Sequence, residues 1–266
     1  MKYTQKTSKA IAISNPDGKT EKEDAKTQMQ SLLTNPNQSA FKKYQEMAVG
    51  SSKLMKLIIY ELLTTFLGPL PGAAGLLLRK IFYKSLLGNV GESVVFGKSL
   101  TIRHPHKISI GNNVMIDDYA VLDAKGADNK GIVIGNNVII GRNTVISCKN
   151  GNITIEDNSN IAMNCFIQSA KEVTIEKNVL FSAYCYLIGG GDHLTHRTDI
   201  PIITQGQVIR GITIKENCLL GAGVIVQDGV KIERDTIIGT GSVVTDNIPE
   251  FSIAVGLPAR VIKKRE

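Results

Sequence analysis

ITIKENCLLGAGVIVQDGVKIERDTIIGTGSVV, residues 212–244, carries an aliphatic side chain at every sixth position: Ile214, Leu220, Val226, Ile232, Ile238 and Val244. Period six matches neither an amphipathic helix nor the alternation of a half-buried strand. It is the signature of a repeat solenoid, in which each repeat buries its apolar face only by stacking on its neighbours. Four residues after each aliphatic stands Cys218, Val224, Val230, Thr236, Ser242 or Ile248, mostly small or β-branched. A large inward residue followed by a smaller one fills a narrow prism whose walls are short strands.

The same register runs back through Val90, Phe96, Ile102; Ile110, Ile116, Leu122; Ile134, Ile140, Ile146; Ile155, Ile161, Ile167; and Ile175, Phe181, Leu187, which with the two C-terminal sets makes seven triplets. Three hexads close one triangular turn of a parallel β-helix. With strands about 4.8 Å apart, seven turns give a column of roughly 34 Å. Asn113, Asn137, Asn158, Asn178, Asn217 and Asp235 follow the first aliphatic of six turns by three residues. Asn and Asp are the non-glycine types best suited to a left-handed backbone at a tight corner.

Successive triplets start at 90, 110, 134, 155, 175, 214 and 232, and every excess over three hexads follows the third hexad of its turn. All insertions therefore leave at one corner, and solenoid insertions gather on one face that often binds ligands. The longest, GGGDHLTHRTDIPIITQGQVIRG at 189–211, holds two of the four histidines, His193 and His196, beside Asp192, Arg197 and Asp199. A histidine is the side chain best suited to accept a proton near neutral pH. Its place on the one long excursion of a regular solenoid makes His193 the candidate catalytic base.

From Ile188 to the C-terminus, IGGGDH, DIPIITQG, ITIKENCLLGAGVIVQDGVKI and IIGTGSVVTDNIPEFSIAVGLPARVI resemble the hexapeptide-repeat acyltransferases that use acetyl-CoA, in the sense of the galactoside, xenobiotic and capsular-polysaccharide O-acetyltransferases. The resemblance covers residues 90–266 and implies a left-handed β-helix assembled as a homotrimer, with active sites in clefts between subunits. It implies a general-base role for His193, acceptor contacts at Asn164, Tyr184 and Arg197, and acetyl-CoA or another acyl-CoA as co-substrate. It places the CoA arm along Gly221, Ala222, Gly223, Thr240 and Ser242, with Lys263 and Lys264 facing the nucleotide phosphates. Each of these has a plainer reading: Asn164 continues a corner ladder, the glycines serve the backbone, and the terminal lysines are a solvated charge run.

In the reaction so implied, His193 takes the proton of an acceptor hydroxyl or amine as it attacks the thioester, with both substrates held together. A backbone N–H near the CoA sulfur steadies the oxyanion. No metal is required. The His104/His106 pair lies at the first turn's corner and the His193/His196 pair after the fifth, roughly 19 Å apart along the axis, too far for one zinc bonded at about 2 Å. Cys165, Cys185 and Cys218 fall on small inward sites and read as core fillers; Cys148 shows no ligand spacing. Without a disulfide framework or a signal peptide at the start of the sequence, a reducing cytoplasm is the expected compartment.

Residues 1–89 carry no hexads. The spacing predicts a polar arm over 1–50, partly helical or disordered, with a short helix at Ser39–Val49. An apolar and basic helical segment follows over 51–89, split by Gly68, Pro69, Pro71 and Gly72; then the β-helix over 90–254 and a tail over 255–266. Residues 1–89 hold 13 Lys plus Arg against 6 Asp plus Glu, whereas 90–266 hold 18 of each. Lys53, Lys56, Arg79, Lys80 and Lys84 beside apolar helices too short to span a bilayer fit an interfacial segment on an anionic membrane, peripheral to its inner face. A cap on the open first turn, as solenoids require, or packing within the trimer fits them better still, and either can coexist with membrane contact. No stacking platform or motif for nucleic acid accompanies them. The PLPG and RHPHKISIGNNVMIDD runs add a resemblance to acyltransferases of polysaccharides and lipid-linked glycans, which makes a saccharide or glycan precursor the expected acceptor. An N-acetyltransferase of an amino sugar nucleotide or other small amine, and a non-enzymatic docking scaffold, are the competing readings.

Overall fold

The computed structural model describes residues 35–266, so the expected polar arm lies mostly outside the described residues. Residues 40–191 and 209–266 form one compact unit, and residues 192–208 fall outside it.

The large unit is a three-walled parallel solenoid. On the first wall Val90, Ile110, Ile134, Ile155, Ile175, Ile214 and Ile232 stand in direct register from turn to turn. The second wall aligns Phe96, Ile116, Ile140, Ile161, Phe181, Leu220 and Ile238, and the third Ile102, Leu122, Ile146, Ile167, Leu187, Val226 and Val244. These are the hexad positions expected from the sequence, and apart from Val90 all of them are buried. Each fully buried aliphatic contributes about 1.5–3 kcal/mol.

Seven complete turns are followed by part of an eighth. Ile248 bridges Ile232 on the first wall and Ala254 pairs with Ile238 on the second. The chain then reverses, and Ala259–Lys264 runs antiparallel to Ser252–Gly256. The expected tail is thus a strand that covers the second wall's exposed edge, a usual defence against edge-to-edge pairing. The hexad search stopped short of it because Pro249 and Pro258 interrupt the repeat.

The Asn ladder behaves as its residue type dictates. Asn113, Asn137, Asn158, Asn178, Asn217 and Asp235 all have φ between 56° and 61°. Their amides chain along the corner, with Nδ2 of Asn113, Asn137 and Asn158 donating to Oδ1 of the next turn at 3.1, 2.9 and 3.2 Å.

At the other end three helices cap the first turn: α1 (Ala40–Ala48), α2 (Leu54–Leu62, prolonged by a wide turn through Leu67) and α3 (Gly72–Phe82). None of the described helices is long and apolar enough to cross a membrane. Gly50 ends α1 at φ 63°, and a Cβ there would lie 2.1 Å from the His104 ring. The His104 N–H donates to the Ala48 carbonyl at 2.9 Å. Burial, with His106 and Lys107 adding to it, pushes the His104 imidazole down to about 4, so it is a neutral packing group at neutral pH. Tyr60 donates to the Ile102 carbonyl at 2.9 Å, and Tyr83 packs its ring on Phe96 at 5.4 Å.

Arg79 departs from expectation. Rather than flanking the helices as a surface charge, it is 1% exposed. Its Nε donates to the Phe96 carbonyl at 2.9 Å and its Nη1 to the carbonyls of Leu67 and Leu70 at 3.0 and 2.6 Å. One fixed guanidinium fork thus ties the α2–α3 connection to the first turn of the solenoid.

Candidate active site

His193 lies in a small antiparallel pairing of Asp192–His193 with Gln207–Val208, in which His193 faces Gln207. The chain between them is cross-tied. Leu194 N–H donates to the Gly206 carbonyl at 3.1 Å, and the Gln205 amide accepts from Arg197 N–H and donates to the carbonyls of Arg197 and Ile200. A long insertion therefore holds its histidine on a paired strand. The His193 side chain is exposed.

Gln207 holds the ring in place. Its side-chain amide stands 2.7 Å from His193 Nε2, a contact that orients the imidazole through one of its two nitrogens. Sequence reasoning missed Gln207, because its relation to His193 depends on strand register that periodicity inside an irregular loop does not supply. His196 is exposed and outside the paired strands. The Arg197 guanidinium grips Asp199 through Nε to Oδ1 at 3.0 Å and Nη2 to Oδ2 at 2.6 Å, a bidentate contact inside the loop.

On the solenoid, Asn164 and Tyr184 occupy a second corner ladder. Tyr119, Asn143, Asn164 and Tyr184 have φ from 55° to 63°, and the last two turns put Gly223 and Gly241 there, both at 71°. Asn164 N–H donates to the Arg142 carbonyl at 2.9 Å, and Gly223 and Gly241 repeat that bond to Ala183 and Ala222 at 3.0 and 2.8 Å. The two glycines end a column of projecting side chains. A Cβ on Gly241 would meet nothing within 4 Å, and one on Gly223 only the Gly241 Cα at 3.9 Å. Bare backbone is left over two turns, beside Gly221, Ala222 and the exposed Thr240.

Other expected cofactor contacts separate in space. Ser242 is wholly buried and its Oγ accepts the Gly256 N–H at 3.0 Å, so it fastens the final hairpin inside the prism and leaves the set of ligand contacts. Lys264 Nζ is held by the Glu250 carbonyl at 2.8 Å and Ser252 Oγ at 3.2 Å. Lys263 is exposed one position before it on the same strand, where neighbouring side chains point to opposite faces.

All four cysteines are buried and reduced. Burial pushes the Cys148 thiol up to about 12 and the Cys218 thiol to about 11, and a hydrogen bond with Cys165 together with burial raises Cys185. These three thiols are protonated and unsuited to attack a thioester. Among the described residues no three His, Cys, Asp or Glu side chains gather into a metal site.

Two family descriptions match this repeat register: the bacterial transferase hexapeptide, six repeats, over residues 211–246, and the hexapeptide repeat of succinyl-transferase over residues 131–169. The chain carries the hexapeptide repeat of bacterial transferases in these two stretches of its solenoid. A probable acetyltransferase of Mycobacterium tuberculosis is 32% identical over 133 residues, half of this chain; the match spans 44% of that relative. The dTDP-4-amino-4,6-dideoxy-D-glucose acyltransferase of Escherichia coli is 29% identical over 191 residues, 71% of this chain and 85% of that one. Among solved structures, the UDP-N-acetylglucosamine acyltransferase of Campylobacter jejuni superposes with a TM-score of 0.52 at 20% identity, covering 66% of this chain and 62% of that one, which speaks to fold alone.

Proposed function

We propose that this chain transfers an acyl group from a CoA thioester to a saccharide, with His193 as general base. The observation that carries the proposal is the exposed His193 on a paired strand of the long insertion, its imidazole oriented by the Gln207 amide at 2.7 Å. His193 removes the acceptor proton, the acceptor oxygen or nitrogen bonds to the thioester carbonyl carbon, and the C–S bond breaks. The proton then passes from the imidazolium to the CoA sulfur. Asn164 and Tyr184 are proposed to contact the acceptor, and Arg197 to hold the loop in shape.

The thioester arm is proposed to lie along the bare corner at Gly221–Gly223 and Thr240, with Lys263 near the nucleotide phosphates. A narrow pantetheine chain suits a strip of backbone without side chains. Gly223→Val would place a β-branched residue at φ 71° and fill the strip. A rise in KM for acetyl-CoA of about tenfold or more is expected from the filled strip, and a β-branched residue at positive φ adds strain at the corner. A lowered melting temperature with unchanged KM would reduce Gly223 to a corner residue.

A hydroxyl acceptor is the first reading and a sugar amine the second, favoured by the Escherichia coli relative that acts on an amino sugar nucleotide. Thiol release from acetyl-CoA, measured across neutral sugars, glycan precursors and amino sugar nucleotides, separates them when products are treated with alkaline hydroxylamine. An ester is cleaved and an amide survives. Acceptor-independent release, or none with any acceptor, would return the chain to a scaffold role.

Assembly with further copies is part of the proposal. The outward positions of the second wall carry Val95, Met115, Ile139 and Leu180, all exposed, an apolar stripe interrupted at Asn160 between the last two. Stripes of that kind are uncommon on monomers and typical of subunit contacts, in keeping with the homotrimer implied by the family resemblance.

A further inference from the structure

The cap helices are apolar on two sides. Leu57 and Tyr60 of α2, and Gly75 and Arg79 of α3, form the buried side of the cap. A helix on a soluble surface is polar on its other side. Here eleven large apolar side chains between Leu54 and Phe82 are exposed, among them Met55 at 65%, Phe66 at 64% and Leu77 at 59%. Met55, Ile59, Leu62 and Phe66 recur at the spacing of one helical face, and Leu77 and Ile81 do so on α3.

The rim of this surface has one sign. Lys53, Lys56, Lys80 and Lys84 are exposed around it. The only acid between 51 and 89 is Glu61, which already accepts the Tyr44 hydroxyl at 2.5 Å. We infer that the outer face of α2 and α3 lies in the headgroup region of an anionic bilayer, apolar residues inserted and lysines on the phosphates. The composition is that of an in-plane helix: short, apolar on the inserted side, with basic flanks. A second copy of the same face is a poorer occupant, because self-association would set four lysines against four with no free acid between them. The burial of Arg79 removes it from the lipid contact and assigns it to holding the hairpin rigid beneath the inserted face.

The test uses the full chain and vesicles of phosphatidylcholine alone or mixed with phosphatidylglycerol, read by co-sedimentation. Binding to the anionic vesicles is expected, with little to the neutral ones. Phe66→Glu combined with Leu77→Glu should weaken it about tenfold or more. Each lysine changed to glutamine among Lys53, Lys56, Lys80 and Lys84 should weaken it about fivefold. These side chains point outward, so the melting temperature should hold. Absence of binding to either vesicle, or binding indifferent to both sets of variants, overturns the inference. So does light scattering in which the glutamate pair dissolves an oligomer while vesicle binding is absent, which would give the face to a second copy. None of these readouts involves acyl transfer, so the inference stands or falls apart from the proposed reaction.

Discussion

His193→Ala should lower kcat for acyl transfer by about 10²–10⁴-fold, the usual worth of a positioned general base, while thermal unfolding and oligomeric state stay as they are. The side chain is exposed and its only recorded hydrogen bond is to Gln207, so its loss removes little stabilisation. Gln207→Leu should preserve folding and reduce kcat by a smaller factor, because the imidazole survives and only the contact that orients it is lost. His196→Ala should leave turnover within about twofold, since surface substitutions away from the chemistry are near neutral. The informative measurement is kcat of the three variants beside the wild type at saturating acetyl-CoA. Unchanged turnover in His193→Ala would sink the assignment, and loss confined to His196→Ala would transfer the role.

The second large effect is structural. Arg79→Met should destabilise the cap by about 2–4 kcal/mol, since a buried acceptor left without its donor costs about 1–3 kcal/mol. The guanidinium serves the buried carbonyl of Phe96 and the part-buried carbonyls of Leu67 and Leu70. Arg79→Lys should recover only part of this, because an ammonium lacks the planar fork that reaches carbonyls on two sides. A solenoid is stabilised by nearest-neighbour contacts, so damage at one end need not spread. Hydrogen exchange should therefore accelerate between residues 54 and 103 and stay slow in the turns around Ile214 and Ile232. Uniform acceleration along the chain, or none, would contradict the role given to Arg79.

The solenoid was legible because its geometry is local and repetitive. One inward aliphatic per hexad and an Asn at one corner suffice to place Ile134 against Ile155 and Ile175 without knowledge of any other contact. The closing hairpin was not legible, since its pairing of Ser252–Gly256 with Ala259–Lys264 follows the point where the period ends. Arg79 was misread for a related reason. Charge and apolar neighbours are visible in sequence, but the carbonyls that draw it inward come from two segments, the α2–α3 connection and the first turn. The candidate site divides the same way. His193 stands out as a candidate because it sits where the period fails, whereas the Gln207 contact required strand register, and the burial of Ser242 required knowing which face of its corner looks inward. The second ladder, ending in Gly223 and Gly241, was present in the sequence as a column of Tyr119, Asn143, Asn164 and Tyr184. Its members differ in residue type, and their shared φ is what unites them.

The burial of every cysteine has a consequence for measurement. Cys148, Cys165, Cys185 and Cys218 are each 0–2% exposed, so a disulfide reagent added to the folded chain meets none of them at an appreciable rate. The free thiol liberated from a CoA thioester can then be read continuously against a silent protein background. The same reagent becomes a stability gauge in denaturant: Cys218 sits two turns closer to the C-terminal end than Cys165, and the order in which they are labelled would map which end of the column opens first.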